Sequence, residues 1–328
     1  MIKVTLLLLA LVSSNASAKP SDVPYLESKQ FAEDVKAHLT RGVDAQIARL
    51  TQLAPRPKTQ ECLAKYDGMW RTGILQLDLF YGYMNNQTST LILDPIEAQV
   101  MTEVLTRKCV TPMAGACGFK VISKPAKQGK VEAKPTALKR TIKRYGQKQD
   151  FIIRIFTSAL TERGPGNQNV QQSQKSENVW NAFLTSLGQA NVVIYDGHGR
   201  YGAGPGFDTE EHPLNPDGSI ERSRFERFKS GLVYTLRKPD LLMIAACDSR
   251  NHYLKEILEI APYMSTITTT DDDQSPGAGI QTVYSVIDSL VVERCEDEMK
   301  EALALVPDRA DYGPNGQVLL ENFTNPAQ

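Results

Sequence analysis

Apolar and polar positions follow two different periods along this chain. Phe31, Val35, Leu39, Val43, Ile47 and Leu50 recur at helical spacing, with Ser28 where an N-cap belongs, and so predict a helix reaching about Leu53. Gly42 is expected to break or bend it, and Pro55-Arg56-Pro57 to end it. A second helix is expected from Thr59 to about Trp70. From Leu75 the period drops to two. Leu75, Leu77, Leu79, Tyr81 and Tyr83 alternate with Gln76 and Asp78, Asn85-Asn86 reads as a turn, and Ser89, Leu91 and Leu93 read as the return strand. Pro95 then opens a helix that reaches about Lys108.

From Asp150 onward, strand and helix alternate regularly. Strands are expected over residues 151–157, 191–196, 240–246 and 264–270. Helices are expected over 177–187, 220–236 and 252–260, and a long closing helix over 279–305 carries Ile280, Val283, Ile287, Leu290 and Val291 on one face. Residues 164–173 and the Gly- and Pro-rich 200–218 read as loops. Four β–α units in sequence imply an α/β fold with a mostly parallel sheet covered by helices on both faces. This unit, residues 150–328, is expected to follow a smaller α+β N-terminal region at 19–119.

Between them, residues 120–149 change character: ten Lys or Arg stand against one acid, Glu132, in 120–148, punctuated by Pro125, Gly129, Pro135 and Gly146. Such a run reads first as a solvated linker or hairpin. Two sharper readings are a protease-cut activation segment, which makes the preceding region a prodomain, and a docking site for an anionic surface such as phospholipid headgroups.

Composition changes the picture in three places. The chain has 328 residues, 41% of them hydrophobic, and a net charge of −1, which supports a large core and argues against nucleic acid as a partner. Lys3, the apolar run Val4 to Val12 and Ala16-Ser17-Ala18 have the pattern of a signal peptide over residues 1–18, so the mature chain is expected to be secreted or periplasmic. Lys19 follows directly, which implies no lipid anchor, and no second apolar run is long enough for an integral membrane segment. The five cysteines leave at least one thiol free, and Cys247 is the natural odd one. Cys109 and Cys117 flank a loop that can close on itself, Cys62 can pair with either, and Cys295 reads as a buried thiol on a helix stripe.

The candidate chemistry lies at the ends of two buried strands. Val192-Val193-Ile194-Tyr195-Asp196-Gly197-His198-Gly199 ends on an imidazole, and Leu241-Leu242-Met243-Ile244-Ala245-Ala246-Cys247 on a thiol. Side chains just past the C-terminal ends of parallel strands sit where α/β proteins place their sites. A thiol reacts as thiolate, and His198 is the base that can take its proton and return it to a leaving amine. No third member is assignable, since the Gly197 turn leaves the direction of Asp196 open.

The two stretches, in this order and 49 residues apart (247 − 198), resemble the caspase, gingipain and legumain-like cysteine peptidases over about residues 150–305. Ala245-Ala246-Cys247-Asp248-Ser249 departs from the caspase Gln-Ala-Cys pattern and is nearer to the bacterial and legumain-like members. The resemblance implies a caspase-like sheet, Cys247 as nucleophile, His198 as base and acid, and the backbone N–H groups of Gly199 and Cys247 as the oxyanion site. It also implies cleavage after a charged or polar residue of a protein or peptide substrate. Asp196 and Asp248 are candidate contacts favouring a basic residue there, while Arg200 favours an acidic one. Neither cofactor nor metal is implied: His212 and His252 have no metal-ligand spacing with His198, and the glycines at 199–206 lack the Lys-Ser/Thr ending of a phosphate loop. The alternatives are a catalytically inactive caspase-like binding protein and, behind it, a Cys-His acyl transferase.

Overall fold

The computed structural model describes residues 29–83, 93–109, 115–126, 130–160, 170–209, 214–270, 276–306 and 317–323. The signal-peptide pattern, Asn85-Asn86, Ser89 and Leu91 lie outside them.

The first helix, α1 (Lys29–Leu50), runs through Gly42 without a break. A Cβ at Gly42 would lie 3.1 Å from the Gln281 amide nitrogen, so the glycine marks a close helix–helix approach. Helix α2 (Gln60–Met69) is capped by the Thr59 hydroxyl, which accepts from Cys62 N–H at 3.2 Å. The alternating segment then forms β1 (Ile74–Tyr81), and Pro95 opens α3 (Asp94–Thr106).

Of the two expectations for the basic stretch, linker and hairpin, the hairpin holds. The stretch supplies β2 (Lys120–Ser123) and β3 (Thr136–Arg144), and β3 turns at Tyr145-Gly146 into an antiparallel hairpin with β4 (Gln147–Thr157). Its charges find partners that fasten it to the body. Arg144 pairs with Asp67 and Glu293, and Arg140 donates to the Gly115 carbonyl at 2.6 Å.

The remaining units alternate as the periodicity predicts: α4 (Gln172–Gln189), β5 (Val192–Asp196), α5 (Ser223–Tyr234), β6 (Leu241–Ala245), α6 (Lys255–Ile260), β7 (Ser265–Thr269) and α7 (Pro276–Val291). The single long closing helix is corrected to two, α7 and α8 (Glu296–Ala304). Glu293, at φ 56°, ends α7 with Glu293 N–H to the Leu290 carbonyl and Arg294 N–H to the Ser289 carbonyl, the Schellman pattern. The last strand is β8 (Val318–Glu321).

All eight strands form one sheet in the order β2-β3-β4-β1-β5-β6-β7-β8. The pairs β4-β1, β1-β5, β5-β6 and β6-β7 are parallel, and the edge pairs are antiparallel. This corrects the expectation of a separate N-terminal unit: β1 lies between β4 and β5, at the centre of the sheet. Period two divides the side chains between two cores. Leu77, Val192, Ile194, Leu241 and Met243 meet the helices α1, α2, α3, α7 and α8 on one face. Phe80, Val193, Tyr195, Leu242 and Ile244 meet α4, α5 and α6 on the other. After β1 the chain turns to the first face and after β5 to the second, so the C-terminal ends of β1 and β5 form a topological switch point, where α/β sheets place their ligands.

The cysteine pairing differs from expectation in one bond. Cys109 and Cys117 close their own loop, but Cys62 joins Cys295. The break after α7 places Cys295 at the N-cap of α8, facing the start of α2, instead of on a buried helix stripe. Arg56 N–H, just before α2, donates to the Glu298 carboxylate at 3.2 Å across the same junction.

Candidate active site

Strands β5 and β6 pair in parallel, from Val192 opposite Leu241 to Asp196 opposite Ala245, a constant offset of 49 residues (241 − 192 = 245 − 196). His198 and Cys247 are separated by the same 49. Gly197 N–H continues the ladder by donating to the Ala245 carbonyl at 3.1 Å, so the chain leaves both strands in step. A Cβ built on Gly199 would lie 2.8 Å from the Cys247 carbonyl oxygen and 3.4 Å from the Ala246 Cβ. The His-bearing and Cys-bearing turns are therefore packed against each other, and only glycine fits between them. His198 and Cys247 are both half-buried, and Cys247 carries the free thiol.

Two tyrosines hold the His-bearing loop. The Tyr195 hydroxyl accepts from Gly206 N–H at 2.7 Å and donates toward the carbonyls of His198 (2.9 Å) and Gly206 (3.1 Å). The Tyr253 hydroxyl donates to the Gly199 carbonyl and accepts from Gly204 N–H at 3.2 Å. The Cys-bearing turn is fixed from below: Ser249 Oγ donates to the Ile244 carbonyl at 2.7 Å and accepts from Thr269 N–H at 2.9 Å, while Thr269 Oγ1 donates to the Ala246 carbonyl.

These clamps hold a strained backbone. Six non-glycine residues among those described have left-handed φ, and three of them, Arg200 (50°), Tyr201 (54°) and Asp248 (44°), flank the His–Cys pair. Such conformations are costly for L-residues and collect at functional sites. A π-helical turn, Arg250–Leu254, leads from the Cys-bearing turn into α6.

The three candidate substrate contacts divide. Arg200 is buried: it donates to the Asp208 carbonyl at 2.9 Å and lies under Gly206, so it builds the loop and does not line a cleft. Arg224 grips the Asp208 carboxylate from the other side, at 2.9 and 3.0 Å. Asp196 is also buried, opposite Tyr81 in the sheet. Asp248 alone is half-buried at the surface, where it accepts from the Asn251 amide at 2.7 Å. His252, dismissed as a metal ligand, belongs to the same neighbourhood. Its Nδ1 would lie 2.9 Å from a Cβ on Gly202, and its Nε2 is 3.9 Å from an Asp248 oxygen. His212 lies outside the described residues.

Sequence reasoning missed three groups. A tyrosine in an otherwise aliphatic buried strand needs a hydroxyl partner, and that was the available signal for Tyr195. Asp94 and Glu97, in the first turn of α3, carry no sequence signal that singles them out and are fully buried. Burial pushes the Asp94 carboxyl up to about 7, although Ser158 N–H (2.9 Å) and Ala159 N–H (3.0 Å) donate to it. Burial first, then the charges of Asp196 and Asp94, hold Glu97 well above the usual carboxylate range.

This predicts an unusual pH dependence. An unfolded aspartate ionises near 3.8, whereas Asp94 stays protonated in the fold to about 7. Across that window the folded chain binds the extra proton, so the stability contribution is complete below the lower value and is lost as pH rises to the upper one. The loss is on the order of 4 kcal/mol at about 1.4 kcal/mol per unit. Asp94→Asn cannot ionise. Urea unfolding should therefore show the variant gaining on the parent between pH 4.5 and 7.5, and an unchanged difference would exclude the assignment.

Among the described residues no helix is long and apolar enough to cross a membrane, and no group of three or more His, Cys, Asp or Glu is placed to hold a metal ion. No protein-family model, no curated protein and no solved structure matches the chain.

Proposed function

We propose that this chain is an exported cysteine endopeptidase with a His198–Cys247 dyad, resembling the caspase-like peptidases. The observation that carries the reading is the shared 49-residue offset. The His-bearing and Cys-bearing turns leave adjacent parallel strands in step, which supports pairing the His198 imidazole with the Cys247 thiol. His198 takes the Cys247 proton, and the thiolate attacks the substrate carbonyl carbon. The backbone N–H groups of Gly199 and Cys247 stabilise the oxyanion. The C–N bond then breaks as His198 protonates the leaving amine. Water, losing a proton to His198, hydrolyses the thioester and frees the thiol.

Cleavage follows a charged or polar residue, and Asp248, beside the nucleophile, favours a basic group at the cleft. Two disulfides suit an oxidising compartment outside the cytosol, in keeping with the signal-peptide pattern. Iodoacetamide alkylation followed by mass spectrometry across pH tests the dyad. Cys247 should be alkylated in the folded chain and keep reacting below about pH 7, where a thiol of ordinary pKa near 8.5 has slowed. A thiol that reacts only after denaturation leaves the caspase-like binding protein as the better reading.

A further inference from the structure

The sheet ends on one side at β2, which pairs with β3 and, among the described residues, with no strand on its other side. Its outer edge therefore presents main-chain donors and acceptors, the usual template for an added strand. The strand is apolar for an edge: Val121 and Ile122 are 45% and 55% exposed. A groove beside it is lined by Lys108, Lys120, Ile122, Lys139, Arg140 and Thr141. Lys120 stands directly opposite Lys139 across the β2–β3 pair, and like charges in that position destabilise a sheet. Asp150 answers Lys139 at 2.7 Å, but among the described residues no carboxylate pairs with Lys108 or Lys120.

We propose that β2 and this groove receive an extended acidic segment of a partner protein as a ninth strand of the sheet. The incoming main chain pairs with the outer edge of β2, and every second side chain points to the groove side. Carboxylates at those positions meet Lys108 and Lys120 and relieve the Lys120–Lys139 repulsion. Small apolar side chains between them cover the exposed Val121. A second copy of β2 in the same place would set lysine against lysine. A phospholipid surface would answer the lysines but leave the strand edge unpaired.

Fluorescence anisotropy on the full chain at about 0.15 M ionic strength tests this with three probes. One is a peptide of alternating Glu and Val. The second is the same peptide N-methylated at alternate amides, with its charge unchanged. The third is a set of labelled vesicles containing phosphatidylglycerol. The first peptide is expected to bind saturably, and N-methylation to remove binding. Lys108→Glu, which should leave the melting temperature in place, and Lys120→Glu, which removes the repulsion from Lys139 and should not lower it, should each weaken binding on the order of tenfold. Equal binding of the N-methylated peptide, binding to vesicles alone, or no binding of either peptide would each overturn the proposal.

Discussion

Replacing His198 with Ala is expected to lower kcat/KM for peptide hydrolysis about 10³-fold, and Cys247→Ala to abolish hydrolysis. The reason is positional. In the proposed mechanism Cys247 is the nucleophile and His198 the base, each two residues past the last pair of the β5–β6 ladder. Without the imidazole, the thiol is mostly protonated at neutral pH and the leaving amine has no acid. The two losses should not add, because a base has nothing to activate once the thiol is gone. Both residues are half-buried past the strand ends, so far-UV circular dichroism and the melting temperature should barely move. The measurement is turnover of a quenched-fluorescence peptide library by parent, single and double variants. A His198→Ala chain that keeps parental turnover would remove the dyad from the mechanism.

The second large effect concerns stability. Opening the Cys62–Cys295 bridge by changing both residues to Ala should cost about 5–6 kcal/mol on the loop-closure relation. The bond closes a loop of 233 residues, and the entropy returned to the unfolded chain grows with loop length. The Cys109–Cys117 bridge spans only 8 residues, so its removal should cost about 2–3 kcal/mol on the same basis. Urea denaturation of the two double variants against the parent separates the cases. If the short-loop variant lost as much as the long-loop one, the closure-entropy account would fail.

Much of the candidate site was legible in the sequence because a register offset is a spacing. Two apolar runs of equal phase, each ending on a reactive side chain, carry the information that the ladder later displays. That at least one thiol is free follows from counting, and its assignment to Cys247 from the place of that residue past a buried strand. Other features were hidden for physical reasons. The end of α7 was missed because its left-handed residue is Glu293, where glycine or asparagine usually marks the stop. That missed break also concealed the partner of Cys62. In 120–149 a linker and a hairpin read alike because Lys, Arg and Pro outnumber the apolar positions, and the hairpin alternative holds through pairs such as Leu138 opposite Ile153. Nothing local to residues 74–81 says that they belong between two strands encoded far downstream. Alternation there looks the same in a peripheral hairpin as in a sheet centre.

That central seat of β1 has a kinetic side. The β3–β4 hairpin closes over a few residues and can form early, but β1 must find β4 about 75 residues away and β5 about 115 away, both in parallel (Leu77 opposite Ile153 and Val192). Until it arrives, β4 and β5 each present an open apolar edge, the form of intermediate most exposed to aggregation. Folding should therefore be limited by capture of β1, and a chain lacking residues 29–83 should precipitate, since no later strand can take its place. Residues 29–83 thus complete the sheet that carries His198 and Cys247, and are built into it through β1.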